Sequence, residues 1–499
     1  MLLQELVCGI PCEVLHGSLQ CEVRGLCWDS RKARPGDLFV CIAGAHTDSH
    51  ALALRAVAGG AAALAVQHPV AWSTASGPVT VLHFADTRRA LALLAARWYH
   101  NPARQLTMVG ITGTKGKTTT AALLAAALTA GGHRVGVLGT NGVHWPGHQY
   151  PLCRTTPESA DLHRWLRAMA DDGCDTCVME VSSQGIQQQR VAGLFFQVGV
   201  FTNLSPDHIG PGEHANFAEY RACKAQLFRH CAVGVVNADD PNTEALLQGH
   251  CCRVVRYGFG AGAAYRGLGP VQPVRSALRL GVRFGYAAPG AAPCTVELGM
   301  PGQFSAENAL AALTAAAVLG VPGPDAAAAM QTVAVAGRAE VLDLGLPFTV
   351  VVDYAHNAAA AQTLLGALRA YRPRRLVVVF GCGGGRSALR RIGMGEVCAR
   401  LADLCILTED NSRMEPLEHI WAQVRAGRDR VANPAPWVEI PDRLEALHYA
   451  LDHAGPGDLV AVLGKGHEAT LDRGGVVLPF PEPQLLAEYA ATLRREGKA

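Results

Sequence analysis

Val109 to Leu128 reads VGITGTKGKTTTAALLAAAL: an apolar run, a Gly-rich turn and an Ala/Leu-rich stretch. That order predicts a strand, a tight loop and a helix, the layout in which backbone N–H groups at a helix start cradle a phosphate. Gly113 and Gly116 let the loop turn sharply, Lys117 brings a positive charge, and Thr118 offers a hydroxyl suited to magnesium. In the standard phosphate-binding loop a Gly precedes the Lys by six positions; here that position is Ile111. The stretch therefore reads as a shortened, variant loop in which Gly113, Thr114, Lys115, Gly116, Lys117, Thr118 and Thr119 contact a nucleotide. A chance GKTTT in a strand–helix turn is the plainer alternative.

The rest of the chain sets the frame for that loop. At 499 residues it is long enough for roughly two to four domains with their own cores. With 44 basic and 42 acidic side chains the formal net charge is +2, which argues against general attraction to nucleic acid or to an acidic membrane. Any anionic ligand must be met by a local site. No apolar run approaches the roughly 18 residues of a membrane span, and the start MLLQELVCGIPCEV lacks the pattern of a secretion signal. The expectation is a cytoplasmic protein. Its 16 cysteines are scattered through apparent strands and helices and read as reduced thiols. Cys174 and Cys177 form one CxxC without a second pair, which suits buried apolar side chains better than zinc.

Apolar strand-like runs alternate with helical stretches along the chain, predicting an α/β protein of three domains. Residues 1–103 hold DLFVCIAG and ALAV, a small α/β unit that ends in the polar WYHNPARQ. Residues 104–333 carry LTMVGI, RVGVLG, TCVMEV, QVGVFTN and VGVVN, the signature of a doubly wound, mainly parallel sheet around the phosphate loop. Residues 334–499 repeat the pattern with FTVVVDYA, RLVVVFGCGG, LCILTED and LVAVLGKGHE, a second nucleotide-fold-like domain. Ligands of such sheets sit at the carboxyl ends of the strands, where the polar segments following these runs should converge.

Three further segments carry candidate chemistry. EVSSQG (180–185) ends a strand with a carboxylate and two hydroxyls; Glu180 either caps a helix or pairs with a Lys, or holds magnesium. FTNLSPDH (201–208) puts His208 beside Asp207, as a metal ligand or as a turn cap. Lys224 lies on an amphipathic helix beginning near Asn216, where a lysine is ordinarily a solvated surface residue.

Taken together, TGTKGKTTT, RTTPES, EVSSQG, FTNLSPDH, YRACKAQLF, NADDPN, DYAHN, FGCGGGR, TEDNSR and GKGHE, with WDSRKARPGDLFVCIAG near the start, closely resemble the Mur ligase family over nearly the whole chain. The branch it is similar to adds the third amino acid to a cell-wall precursor. The resemblance implies that the short loop binds ATP and presents its terminal phosphate to a D-glutamyl carboxylate. The resulting acyl phosphate is then captured by the amine of a diamino acid. It implies Lys117, His208 and Lys224 as catalytic residues, with Thr118, Glu180, His208 and a carbamylated Lys224 as magnesium ligands. The carbamate would turn a cation into an anionic oxygen ligand. Asn308, Arg338, Asp353 and His356 match nucleotide contacts across a domain cleft; without the family these read as cap, surface charge and turn.

For the UDP-N-acetylmuramoyl-dipeptide, the resemblance implies Ser30, Thr155, Thr156, Ser182, Gln188 and Arg190. Arg190 suits a carboxylate or phosphate because its planar fork holds two oxygens. The incoming amino acid would meet Arg386, Asp410, Asn411, Ser412, Arg413, Gly464 and Glu468, with Glu468 on a distal ammonium and Arg413 on a distal carboxylate. Relatives that use meso-diaminopimelate carry DNPR where this chain has DNSR; Arg413 favours diaminopimelate, with L-lysine as the alternative. Other departures are Gln184 for a His, Pro206 for an Arg, GPGEH for a DYHG-like turn, DSH for DGH, and no acidic residue before Arg386. A folylpolyglutamate synthetase and a non-catalytic nucleotide-binding regulator are the competing readings. The partners expected are small molecules alone, with no nucleic acid or membrane, and the chain is expected to act as a monomer.

Overall fold

The computed structural model describes residues 1–44, 47–70, 79–210, 213–275 and 280–496. The chain forms two compact units, Met1–Arg266 with Ala311–Pro322, and Gly267–Leu310 with Gly323–Ala499. Both are built of α/β layers, as the alternation of apolar runs predicts.

The first unit holds a five-stranded sheet in the order Glu13–His16, Thr80–His83, Ala63–Val66, Asp37–Val40, Gly25–Cys27. Its first pair is antiparallel and the others are parallel. Asp37–Val40 and Ala63–Val66 are buried along their whole length, which is why they read as continuous rather than alternating apolar runs.

Five parallel strands of the same unit follow in the order Val135–Gly139, Thr176–Glu180, Thr107–Thr112, Phe196–Phe201, Cys231–Asn237. Thr107–Thr112 comes first in the chain yet lies between Thr176–Glu180 and Phe196–Phe201, so the chain builds one flank and then the other around it. A crevice opens at the carboxyl end of such a strand. The Gly113–Gly116 loop occupies that place and feeds the helix Lys117–Ala130. Leu123, Leu124, Ala127 and Leu128 bury the inner face of this helix.

The second unit has a sheet in the order Glu340–Leu342, Thr349–Asp353, Leu459–Leu463, Leu376–Phe380, Leu404–Leu407, Trp437–Glu439. The first pair is antiparallel and the rest are parallel. Leu376–Phe380 and Leu459–Leu463 are buried throughout.

Every strand-like run quoted from the sequence is a strand. Arg253–Gly258, Tyr265–Arg275, Leu280–Ala287 and Cys294–Leu298 are additional strands that the apolar runs did not announce. Leu280–Ala287 pairs antiparallel with Cys294–Leu298; Gly281, Arg283 and Gly285 interrupt its apolar pattern and hide it from a search for buried runs. No helix among the described residues is long and apolar enough to cross a membrane. All 16 cysteines are free. Cys174 and Cys177 are buried in the first unit's core, and burial pushes the Cys177 thiol up to about 12.

Candidate active site

Backbone geometry shapes the phosphate loop. A Cβ on Gly113 would stand 2.0 Å from Thr202 Oγ1, so only glycine lets the loop lie this close to the neighbouring strand end. Gly116 has φ of +85° at the N-cap of the following helix. Thr114 N donates to the Asn203 carbonyl at 2.9 Å, and Lys115 N donates to Asn203 Oδ1 at 3.0 Å. Lys115 Nζ reaches Asp207 Oδ2 at 3.2 Å. Thr118 is half-buried and Thr119 buried on the first helical turn.

Two lysines meet on one carbonyl oxygen. Lys117 Nζ donates to the Gly113 and Thr114 carbonyls at 2.8 and 3.1 Å. Lys224, fully buried on the helix Phe217–Ala225, donates to the same Gly113 carbonyl at 2.9 Å. It is not the solvated lysine that its amphipathic helix suggested. Burial above all, and then the nearby Lys117 charge, hold Lys224 well below the usual lysine range. Its Nζ lies 4.6 Å from the centre of the Tyr220 ring, and the Tyr220 hydroxyl is 3.2 Å from Thr114 Oγ1.

Glu180 stands opposite Ile111 in the parallel register, and its carboxylate is buried. Oε1 accepts from Thr140 N at 2.8 Å and Oε2 from Thr140 Oγ1 at 3.2 Å. Thr140 Oγ1 lies 3.0 Å from Thr155 Oγ1. Thr156 Oγ1 donates to the Glu180 carbonyl at 2.9 Å and accepts from Ser182 N at 3.0 Å. Arg190 donates to the Thr156 carbonyl at 2.9 Å and to Gln188 Oε1 at 2.5 Å. Thr155, Thr156, Glu180, Ser182, Gln188 and Arg190 are thus one connected patch. His208 stands apart on a loop, with φ of +54°, its Nδ1 3.1 Å from Glu213 Oε1 and its ring 6.1 Å from that of Tyr220. Ser30 is half-buried in the N-terminal part, next to Asp29, which Arg31 grips at 2.8 and 2.9 Å.

In the second unit a pocket opens just past the carboxyl ends of four parallel strands. Tyr354 and His356 follow Thr349–Asp353; Cys382, Gly383, Arg386, Arg390 and Arg391 follow Leu376–Phe380; Asp410, Asn411 and Arg413 follow Leu404–Leu407; Gly464 and Glu468 follow Leu459–Leu463. Tyr354 Oη donates to Glu468 Oε1 at 3.2 Å, while Asn411 Nδ2 and Lys465 Nζ donate to Oε2 at 2.9 and 3.2 Å. Lys465, fully buried, also lies 3.8 Å from Asp410 Oδ1. Ser412 is buried rather than pocket-lining, its carbonyl so close to Gly384 that a Cβ there would be 1.9 Å away. Arg413 takes φ of +54° and donates to the Gly384 carbonyl at 3.2 Å.

Of the four remaining candidates only His356 lines this pocket, with Nδ1 2.7 Å from the Tyr354 carbonyl. Asp353 accepts from Ala339 N and Ala355 N at 2.6 and 2.7 Å. Arg338 stacks over Tyr354 at 4.8 Å, and Asn308 is buried on the helix Gln303–Val318. Sequence reasoning missed Tyr220, Tyr354, Arg390, Arg391 and Lys465. Lys465 sits inside the quoted GKGHE, but nothing local says that it is buried.

A variant phosphate loop at a switch point, together with a second parallel sheet whose strand ends present arginines and carboxylates, marks an α/β nucleotide-binding protein. The Mur ligase middle domain matches residues 111–316, and the Mur ligase, glutamate ligase domain matches residues 337–466. The chain belongs to the Mur ligase family. It is 37% identical over 495 residues, 98% of this chain and 99% of the other, to the UDP-N-acetylmuramoyl-L-alanyl-D-glutamate--2,6-diaminopimelate ligase of Syntrophomonas wolfei subsp. wolfei. It is 38% identical to the UDP-N-acetylmuramyl-tripeptide synthetase of a Roseiflexus species, covering 94% of this chain and 95% of that one. Among solved structures, a UDP-N-acetylmuramoyl-L-alanyl-D-glutamate--2,6-diaminopimelate ligase superposes with a TM-score of 0.69 at 27% identity, with 99% of each chain covered.

Proposed function

We propose that this chain is an ATP-dependent amide-forming ligase that joins a diamino acid to the D-glutamyl carboxylate of UDP-N-acetylmuramoyl-L-alanyl-D-glutamate. The observation that carries the reading is the pair Lys117 and Lys224 on the Gly113 carbonyl, inside a chain similar to such ligases from end to end. A carboxylate is a poor electrophile because its leaving group would be oxide. Transfer of the ATP terminal phosphoryl group supplies a good leaving group; the amine then attacks and phosphate departs. Lys117 and the loop amides hold the phosphoryl oxygens, and Thr155, Thr156, Ser182, Gln188 and Arg190 hold the dipeptide. Asn308, Arg338, Asp353 and His356 serve the nucleotide, and Ser30 the uridine side.

The donor types, a hydroxyl, a carboxylate and an imidazole, suit a divalent cation once Lys224 is carbamylated. Burial first and then the like charge of Lys117 act against its buried ammonium, with Asp207 opposing them least; a carbamate relieves that like-charge contact and supplies hard oxygens. Thr118, Glu180, His208 and the Lys224 carbamate would hold magnesium, which neutralises phosphate charge.

The pocket in the second unit suits a zwitterionic distal group. Asp410 and Glu468 share one buried lysine, Lys465, leaving one negative charge for an ammonium, while Arg386 and Arg413 face a carboxylate. Meso-diaminopimelate carries both at its far end; L-lysine carries only the ammonium. Domains 1–103, 104–333 and 334–499 divide the work among sugar nucleotide, ATP and amino acid. The protein works as a cytoplasmic monomer on small molecules alone.

Incubation with the sugar nucleotide, ATP, magnesium and single amino acids tests this, with phosphate release and peptide mass as readouts. Diaminopimelate is expected to outcompete L-lysine at equal concentration; the reverse order would overturn the assignment of the pocket. A folate enzyme would ignore the sugar nucleotide, and a regulator would bind ATP without product.

A further inference from the structure

Tyr354 stands where three segments of the second unit interlock. Its backbone N–H donates to the Gly337 carbonyl at 3.0 Å. A Cβ on Gly466 would lie 2.7 Å from Tyr354 Cβ, and one on Gly337 would lie 2.1 Å from His467 N. Both glycines take positive φ, +52° and +65°, so the turns at 337–338 and 466–468 close on the tyrosine as no other residue at either position would allow.

The tyrosine is used on two sides. The Arg338 guanidinium stands over its ring, 4.8 Å from the centre, a cation–π contact. The His467 ring lies 5.0 Å away, tilted by 54°. Burial first, and then the Arg338 charge, push this imidazole down to about 4. It is neutral at pH 7 and packs against the tyrosine without a second positive charge beside Arg338. At the far end of the ring the hydroxyl donates to Glu468 Oε1 at 3.2 Å. Asn411 and Lys465 donate to Oε2, so among the described residues Tyr354 is the donor on Oε1. Burial above all, and then the Glu468 charge, raise the Tyr354 hydroxyl to about 12, which keeps it a donor near neutral pH.

A glutamate carboxylate turns easily about its last torsion, and donors on both oxygens hold its plane. Unlike Lys465, a neutral phenol orients the carboxylate without cancelling its charge, and so leaves that charge for an ammonium.

We infer that Tyr354 is a positioning residue with two separable duties: its ring holds Arg338 for the nucleotide, and its hydroxyl aims Glu468 at the distal ammonium of the amino acid. The inference rests on the proposed ligase reading and adds to it a residue that serves both halves of the reaction.

Tyr354 is half-buried, so Tyr354→Phe and Tyr354→Leu should fold. Steady-state turnover with the sugar nucleotide, ATP and meso-diaminopimelate compares them with the unsubstituted protein. Tyr354→Phe keeps the ring and removes the hydroxyl. Its KM for diaminopimelate should rise about tenfold, the scale of one hydrogen bond to a charged group, with kcat at saturation and KM for ATP retained. The same variant should match the unsubstituted protein toward 2-aminopimelate, as substrate or competitive inhibitor, because that compound keeps the distal carboxylate and lacks the distal ammonium. Tyr354→Leu removes the ring as well, and its KM for ATP should rise several-fold above that of the phenylalanine variant. An unchanged KM for diaminopimelate in Tyr354→Phe, or an equal loss with 2-aminopimelate, would overturn the duty of the hydroxyl. An unchanged KM for ATP in Tyr354→Leu, or its unfolding at assay temperature, would make the ring structural and overturn the other duty. If the unsubstituted protein joined no diamino acid at all, the functional reading would fall and the inference with it.

Discussion

The phosphate loop and the pocket of the second unit hold charge in opposite ways. At the loop, Lys117 and Lys224 share a neutral carbonyl oxygen, and the geometry is set by backbone turns and strand register. In the pocket, side chains are paired in advance. Glu468 accepts from Tyr354, Asn411 and Lys465, and Arg391 donates twice to Glu415 at 2.6 Å. The loop is therefore a concentration of positive charge that an anion completes, whereas the pocket is a shaped set of dipoles and ion pairs suited to orienting a partner. The first arrangement favours charge stabilisation and the second discrimination.

The largest expected effect lies on the loop side. Lys224→Ala removes a buried group at the phosphate corner and should lower kcat on the order of 10²–10³, the range for losing a preorganised electrostatic contact. Short carboxylates added to the assay should restore part of the rate if the lysine works as a carbamate, and labelled bicarbonate should give a carbamate carbon resonance only in the unsubstituted protein. Turnover equal to that of the unsubstituted protein would end the comparison, because the loop would then need one lysine and not two.

This contrast also explains what was legible in the sequence. The strand Thr107–Thr112, the glycine turn and the helix after it are contiguous, so their apolar run and punctuation display them directly. Glu180 and His208 follow recognisable strand ends for the same reason. Lys224 contacts Gly113 across 111 residues of sequence, and its own helix is amphipathic in the ordinary way; only the family resemblance singled it out. Lys465 and Arg391 were invisible because burial and pairing of a charge are settled by the packed fold. The resemblance placed Ser412 among the substrate contacts, yet its tight approach to Gly384 turns its backbone, not its side chain, into the feature that shapes the Arg413 loop.

On the pocket side, Lys465→Met should cost about 3 kcal/mol of stability, the scale for stranding a buried partner of an ion pair. Lys465 is fully buried, and the change leaves Asp410 and Glu468 facing each other without their shared cation. Urea titration should show the loss, and the double change Lys465→Met with Glu468→Gln should recover part of it. KM for the amino acid should rise more than KM for ATP. Equal rises in both would show that the pairing in the pocket serves general stability and not orientation of the amino acid.

The smallest effect is an acid-side pH dependence carried by the Arg391–Glu415 pair beside the pocket. Hydrogen bonds from Arg391 first, then from Gly385 N, hold the Glu415 carboxyl down to about 2, against an ordinary value of 4.5. The folded value lies below the unfolded one, so the stabilisation is complete above about pH 4.5 and is lost as pH falls from there toward 2. The carboxylate is 19% exposed, and solvent screening limits the effect to about 1 kcal/mol. Because Asp458, gripped by Arg374 and Arg375 against the opposing effect of burial, titrates in the same direction, the test is a difference between two proteins. Urea midpoints at pH 5, 4 and 3 should fall more steeply for the unsubstituted chain than for Glu415→Gln, which starts less stable at pH 5 because Arg391 has lost its acid. Parallel slopes would mean that the Arg391 pair is already open to water, and that the pocket is no more rigidly paired than the loop.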